Sequence, residues 1–355
     1  MNLREVVEKI GPEDQGAREE AHRRWSACAK PLGGLGFLET VVENVAALTG
    51  SAAVDFSHRA LLVLCADNGV VAQGVTQSGQ EVTLAVARSM AAGRCSVCMM
   101  AKVARCRVVP VDMGILDFSG LPGLLDRRMG NGTQDISVGP AMTRRQAEQA
   151  VLTGIELVRE QQEQGCRLLA TGEMGIGNTT TSSAVACMLL GRQVQELTGR
   201  GAGLSDQGLR RKIEVIRRAI AVNRPDPEDP LDVLSKLGGF DIAGLCGIFL
   251  GGALYGIPVL IDGVISSAAA LCAERLCPNS AKAMVASHVS QEPASRLLLE
   301  VLGKRPLITA GMHLGEGTGA VAAIPLLDMA LAVYQGSSTF DETGIEAYQP
   351  LGGQP

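Results

Sequence analysis

A chain of 355 residues with 46% hydrophobic content is long enough to bury a full core, as one large α/β domain or two smaller ones. Its formal net charge of −5 excludes a general affinity for nucleic acid or an anionic membrane surface, so an anionic ligand has to be held by a local site. The ten cysteines lie scattered through apolar segments, as at Cys65, Cys187, Cys246 and Cys272, which suits reduced, buried thiols rather than a disulfide framework.

In chain order, the N-terminal MNLREVVEKIGPEDQ alternates charged and apolar residues and lacks the basic start and apolar centre of a signal peptide, so a cytoplasmic protein is expected. Up to Gly50 the pattern is helical, with a break at Lys30-Pro31-Leu32-Gly33-Gly34-Leu35-Gly36. Short apolar and β-branched runs then alternate with longer amphipathic stretches. The runs are Leu61 to Ala66, Arg107 to Val111, Arg167 to Thr171 and Pro258 to Ile261, a pattern that predicts a parallel sheet covered by helices. Each run ends at an acid or glycine, giving Asp67, Asp112, Glu173 and Asp262. In open α/β sheets the ligand crevice lies beyond the strand C-termini, so these acids are expected on one rim. Cys95 and Cys98 form a single C-x-x-C with no second pair or histidine at zinc spacing, and read as small core residues on a helix. The Arg224 to Pro230 stretch reads as a solvated connector, and the residues after Phe340 as loosely held. Apolar runs such as Leu61 to Ala66 fall short of the roughly 18 to 20 residues of a bilayer span, so no membrane segment is expected.

Three glycine-rich segments are candidate phosphate cradles: Gly172 to Thr181, Gly199 to Gly203, and Gly315 to Gly319. Each precedes an expected helix, whose free amides and dipole favour an anion. None ends in the Lys-Ser/Thr of a Walker A loop and none has full dinucleotide spacing. In the first, Glu173 stands at a strand end ahead of an apolar helix from Ser182 to Leu190, with Asn178 or a threonine as its expected cap. Either Glu173 faces the crevice or it holds its own loop through backbone amides. In the third, Glu316 stands between glycines ahead of an apolar helix from Val321 to Tyr334. It reads either as a general base raised by an apolar pocket or as a loop carboxylate facing water.

Taken together these segments resemble the nicotinate-nucleotide:dimethylbenzimidazole phosphoribosyltransferases throughout the chain. The resemblance runs from Lys30-Pro31-Leu32-Gly33-Gly34-Leu35-Gly36-Phe37-Leu38-Glu39 through Ala66-Asp67-Asn68-Gly69-Val70, Glu81-Val82-Thr83, Pro140-Ala141-Met142 and the Gly172 loop. It continues through Gly238-Gly239-Phe240-Asp241, Leu260-Ile261-Asp262-Gly263 and Ser287-His288-Val289-Ser290 to Leu314-Gly315-Glu316-Gly317-Thr318-Gly319-Ala320. It implies a Rossmann-like large α/β domain with a parallel sheet flanked by helices, over 51–334. A small helical domain is implied from 1–50 with 335–355, and a dimer of identical or related chains. It implies Glu316 as the base that takes the acceptor's proton. Phosphate and ribose contacts would fall on Glu173, Gly175, Asn178, Thr179, Gly201, Gly203, Lys212 and Ser290. Ser78, Val86, Met174 and Leu314 would lie around the aromatic acceptor.

The implied reaction displaces nicotinate from nicotinate mononucleotide, with Glu173 and Asp262 stabilising positive charge on the ribose. A pyridine leaves rather than pyrophosphate, so neither a metal nor a cofactor is expected. Small molecules are the expected partners. Departures at Phe37, Ser78-Gly79-Gln80, Val86 and Gln134-Asp135 leave the acceptor open among dimethylbenzimidazole, other benzimidazoles, purines and phenols. Two rivals are a diphosphate-dependent phosphoribosyltransferase, which calls for paired strand-end acids, and a partner subunit that has lost turnover.

Overall fold

A computed structural model describes residues 1–349, so 350–355 of the small unit expected at the chain ends lie outside the described residues. The chain opens with α1 (Leu3–Lys9), α2 (Gln15–Ala27) and α3 (Phe37–Thr49), separated at Lys30 to Gly36 as the proline and glycines predict. Then come β1 (Arg59–Ala66), α4 (Glu81–Ala91), α5 (Ser96–Val103), β2 (Cys106–Gly114), β3 (Leu125–Asp126), α6 (Arg144–Glu163), β4 (Leu168–Met174) and α7 (Asn178–Leu190). The second half holds α8 (Val194–Leu197), α9 (Asp206–Asn223), α10 (Pro230–Leu237), α11 (Phe240–Tyr255), β5 (Val259–Ile261), α12 (Val264–Leu276), β6 (Met284–Ala286), α13 (Ala294–Val301), α14 (Thr318–Gly336) and α15 (Phe340–Thr343).

The six strands form one sheet in the order β3-β2-β1-β4-β5-β6, every pair parallel. All four strands read from the sequence are present, with ends displaced by up to three residues. The two edge strands, of two and three residues, are too short for a periodic signal to carry. The central strand β1 is buried on both faces, which is why it reads as an unbroken apolar run. One face is covered by α6, α7, α11 and α12, where Gly154 and Gly247 let α6 and α11 approach backbone to backbone. The other face carries α3, α4, α5 and α14. Trp25 of α2 packs on Tyr334 of α14 with ring centroids 4.9 Å apart, and Cys28 bridges Thr339, so the two ends of the described chain meet there.

By length and composition α14 would suffice to cross a bilayer, which the short apolar runs of the sequence did not suggest. Its Val321, Ile324 and Leu327 pack into the sheet's core, the physical reason for its composition. All ten cysteines are buried and unbridged, as their apolar settings predict.

Candidate active site

The strand order reverses between β1 and β4, and chains leaving the two strands there open a crevice at their C-terminal ends. A cleft of about 320 Å³ lies at this point. Of the residues singled out in the sequence, it is lined by Ser78, Val86, Glu173, Met174, Gly175, Asn178, Thr179, Gly201, Asp262, Ser290, Leu314 and Glu316. Gly203 lines an adjoining hollow with Gly201 and Pro293. Lys212 is fully buried behind the wall, its Nζ donating to Thr179 Oγ1 at 2.9 Å and to the Gly199 carbonyl at 3.1 Å.

The floor is acidic. Glu173, the sixth residue of β4, points its carboxylate at the Asn178 amide, which also donates to Asp241 Oδ2 at 2.9 Å. Burial, then the Asp241 charge, pushes the Glu173 carboxyl up to about 8, while burial pushes Asp241 up to about 6. Asn178 therefore does not cap α7. The helix starts at Asn178 itself, four residues ahead of the sequence expectation, with Gly177 as a left-handed N-cap. The asparagine side chain is spent between the two acids instead.

Glu316 comes in from the opposite wall. It sits at φ 61°, a left-handed conformation unusual for a residue with a side chain, on a turn between Gly315 and Gly317. The turn is pressed against β4, since a Cβ on Gly172 would lie 2.7 Å from the Glu316 carbonyl oxygen. Its half-buried carboxyl is raised first by burial, offset by the Cys95 thiol and the Val97 amide at the start of α5, and Asp262 adds to the rise. Its Oε2 is buried without a hydrogen-bond partner among the described residues. A raised carboxyl on the lining of the cleft, with one oxygen left without a partner, is equipped to accept a proton.

Two expectations need correction. The segment from Gly315 to Gly319 is no phosphate cradle, because Asp262 already occupies its amides, accepting from Gly317 N at 3.2 Å and Ala320 N at 3.0 Å. Asp262 thus serves as the N-terminal cap of α14, reaching across from β5. Nor do all four strand-end acids meet on one rim. Asp67 takes the Leu116 amide, and Asp112 takes the amides of Gly114 and Ile115 and the Arg128 guanidinium, so both build the loop after β2.

Residues that sequence reasoning left without a role also reach the site. Asp241 follows Gly238-Gly239 at the head of an apolar helix, the same glycine-then-acid pattern as Glu316, and that signal was available. His288 lines the cleft beside Asp262, its Nδ1 4.0 Å from Oδ1, after a strand too short to read. Glu292 accepts from the Gly201 amide at 3.0 Å. Cys95, read as a core thiol, is buried but abuts Glu316, with its sulfur 3.2 Å from that of Cys98.

Known proteins resemble this chain over nearly its full length. A family described as "Phosphoribosyltransferase" matches residues 10–345. The nicotinate-nucleotide–dimethylbenzimidazole phosphoribosyltransferase of Ruminiclostridium cellulolyticum is 43% identical over 351 residues, 99% of this chain and 100% of the relative. The enzyme of the same name from Acetivibrio thermocellus is 44% identical over 98% of this chain and 99% of its own length. The crystal structure of CobT from Thermus thermophilus superposes with a TM-score of 0.89 at 39% identity, covering 94% of this chain and 100% of that one. With sequence and fold matched over nearly its full length, the chain belongs to the nicotinate-nucleotide–dimethylbenzimidazole phosphoribosyltransferase family.

Proposed function

We propose that this enzyme transfers the 5-phosphoribosyl group of nicotinate mononucleotide to an aromatic base destined to be the lower ligand of a cobamide. The observation that carries this reading is the pair of raised carboxyls, Glu173 and Glu316, on separate loops across one largely apolar cleft. Two carboxyls in different surroundings take different tasks. Glu173, among other acids, faces the cationic ribosyl group. Glu316, beside the apolar wall, takes the proton.

The bond between the anomeric carbon and the pyridinium nitrogen breaks, its electron pair staying on nitrogen to give nicotinate. The unprotonated ring nitrogen of the azole forms the new bond on the opposite face while its other ring nitrogen gives its proton to Glu316, or a phenolic oxygen does both, which leaves the α-linked nucleotide. Met174, Val86 and Leu314 supply apolar contact to a flat ring, with Ser78 at its edge. Thr179, Gly175, Gly201, Gly203 and Ser290 stand where the 5′-phosphate and ribose would lie, with Lys212 behind them supplying positive charge. Asp262 acts chiefly by fixing the loop that carries Glu316. A cytoplasmic dimer goes with this reading, and exposed Met99 and Val103 of α5 and Met329 of α14 offer apolar surface for a second, identical or related chain.

The test is an incubation of the protein with nicotinate mononucleotide and dimethylbenzimidazole, without added metal, followed by assay for nicotinate. Parallel reactions carry other benzimidazoles, purines and phenol. Nicotinate release that depends on an acceptor supports the proposal. No release with any acceptor overturns it.

A further inference from the structure

Asp241 does not line the cleft, is completely buried, and yet stands one side chain away from Glu173. The connection is a single amide: Asn178 Nδ2 has two protons and gives one to each carboxyl. Two buried carboxyls joined in this way repel one another, and among the described residues no cation offsets them. Asp241, Asp262 and Glu316 face Glu173, Asp67 faces Asp241, and the buried Cys65 thiol lies near both. His288, which lines the same cleft, pairs with Asp262 instead. One carboxyl of the pair therefore keeps a proton in the empty enzyme. Asp241 is the better anion, since it sits in the first turn of α11 where the amide of Ile242 and the helix dipole favour charge. Glu173 is left as the proton carrier.

We propose that Asp241 is a positioning residue that acts on the nucleotide through Asn178, aiming the Glu173 carboxyl into the cleft and keeping it protonated until the cationic pyridinium ribosyl group arrives. When that cation binds, Glu173 releases its proton to solvent and becomes the anion that faces the anomeric carbon. This rests on the phosphoribosyl-transfer reading and adds to it a residue outside the cleft and a proton released on binding.

Calorimetric binding of nicotinate mononucleotide in buffers of different ionisation enthalpy reads the proton directly. At pH 7 the wild-type enzyme should release more protons than Glu173→Gln. Their difference removes what the substrate phosphate and Lys212 contribute to both. Asp241→Asn keeps the acceptor for the Asn178 amide but deletes the charge. It should lower the Glu173-linked release and move the acid limb of the kcat/KM profile for the nucleotide down by about one pH unit. Asn178→Ala removes the donor that favours the Glu173 anion, and should move the same limb upward. Nucleotide binding with equal proton release in wild type and Glu173→Gln overturns the inference while leaving the reaction assignment standing. So does an acid limb that stays in place in Asp241→Asn. Failure of wild-type enzyme to bind nicotinate mononucleotide at all would instead strike the reaction assignment.

Discussion

The two glutamate loops of the cleft look alike in sequence and differ in almost everything else. Gly172-Glu173-Met174-Gly175 and Gly315-Glu316-Gly317 each run into an apolar helix whose N-cap is a left-handed glycine, Gly177 or Gly317. In the first, the glutamate is part of a strand, buried, and bonded to Asn178. In the second, it is held at positive φ on a turn, half buried, with one oxygen unpartnered. The helix behind the second loop has its amides filled by Asp262. That behind the first carries Thr179 in its first turn, whose hydroxyl accepts from Lys212. The difference suits the division of labour that the proposed reaction calls for: on that reading the rigid strand-end loop holds the nucleotide near a charge-stabilising acid, and the turn presents the base.

Removing the base should break this comparison most severely. Glu316→Gln is expected to cut turnover by about a hundredfold or more while leaving nicotinate mononucleotide affinity nearly unchanged, because only proton removal is lost. Steady-state and single-turnover rates beside a binding isotherm check this, and unchanged turnover would move the base elsewhere.

Lys212→Ala should do the converse, weakening nucleotide binding about tenfold or more while barely touching the affinity for free base. The ammonium reaches the cleft wall only through Thr179 and Gly199, and burial lowers it to about 8 with Glu292 pulling the other way. A bound phosphate would raise it again and hold the charge more firmly. Equal losses for both ligands would indicate a damaged wall rather than a lost phosphate contact.

The burial of Glu173 carries a stability signature of its own. Its carboxyl titrates near 4.5 when free and at about 8 in the fold. A group raised in this way contributes fully to stability below its unfolded pKa, and that contribution is lost as pH rises through the folded value. Unfolding free energy should therefore fall between about pH 5 and 8 in the wild type, by about 1.4 kcal/mol for each pH unit crossed. Glu173→Gln should remove the Glu173 share of that slope, leaving that of Asp241, and so gain stability relative to wild type between pH 5 and 8, by on the order of 3 kcal/mol. Urea titrations at pH 5 and 8 decide it. Parallel pH dependence in the two proteins would mean that the site is wetter than its burial implies.

How much of this was legible in the sequence follows the same division. The strand-end acids and glycine turns marked both loops, because strand, turn and helix signals there are local in sequence. What stayed hidden was tertiary. Nothing within reach of Asp262 in sequence says that it caps a helix starting 56 residues later, or that Asn178 turns from its own helix to bridge Glu173 and Asp241. Cys95 reads as any small apolar residue, and only the packing of α5 beside the Glu316 turn gives it a neighbour worth naming. Asp67 and Asp112 carried the same strand-end mark as Glu173 and went instead to building a loop, since they flank the side of β1 away from β4.

The smallest expected effect lies between the two loops, where the acceptor ring would sit. Met174 follows Glu173 and is only 9% exposed, while Leu314 precedes the Glu316 turn and is 55% exposed, so one wall is fixed and the other open. Val86 completes a surface without aromatic side chains, which grips a flat ring by apolar contact rather than by stacking. Such contact discriminates weakly, one methyl group being worth about 1 to 3 kcal/mol. The enzyme is therefore expected to turn over several acceptors, at least one of them other than dimethylbenzimidazole. Met174→Ala enlarges the fixed wall, and should change the ratio of kcat/KM between a bulky and a small acceptor by about three- to tenfold. The affinity for nicotinate mononucleotide should move less than that, because its charged groups are held at the other end of the cleft. An unchanged acceptor ranking in competition assays would place the ring against Leu314 and the open wall, and Leu314→Ala would then be the variant that shifts it.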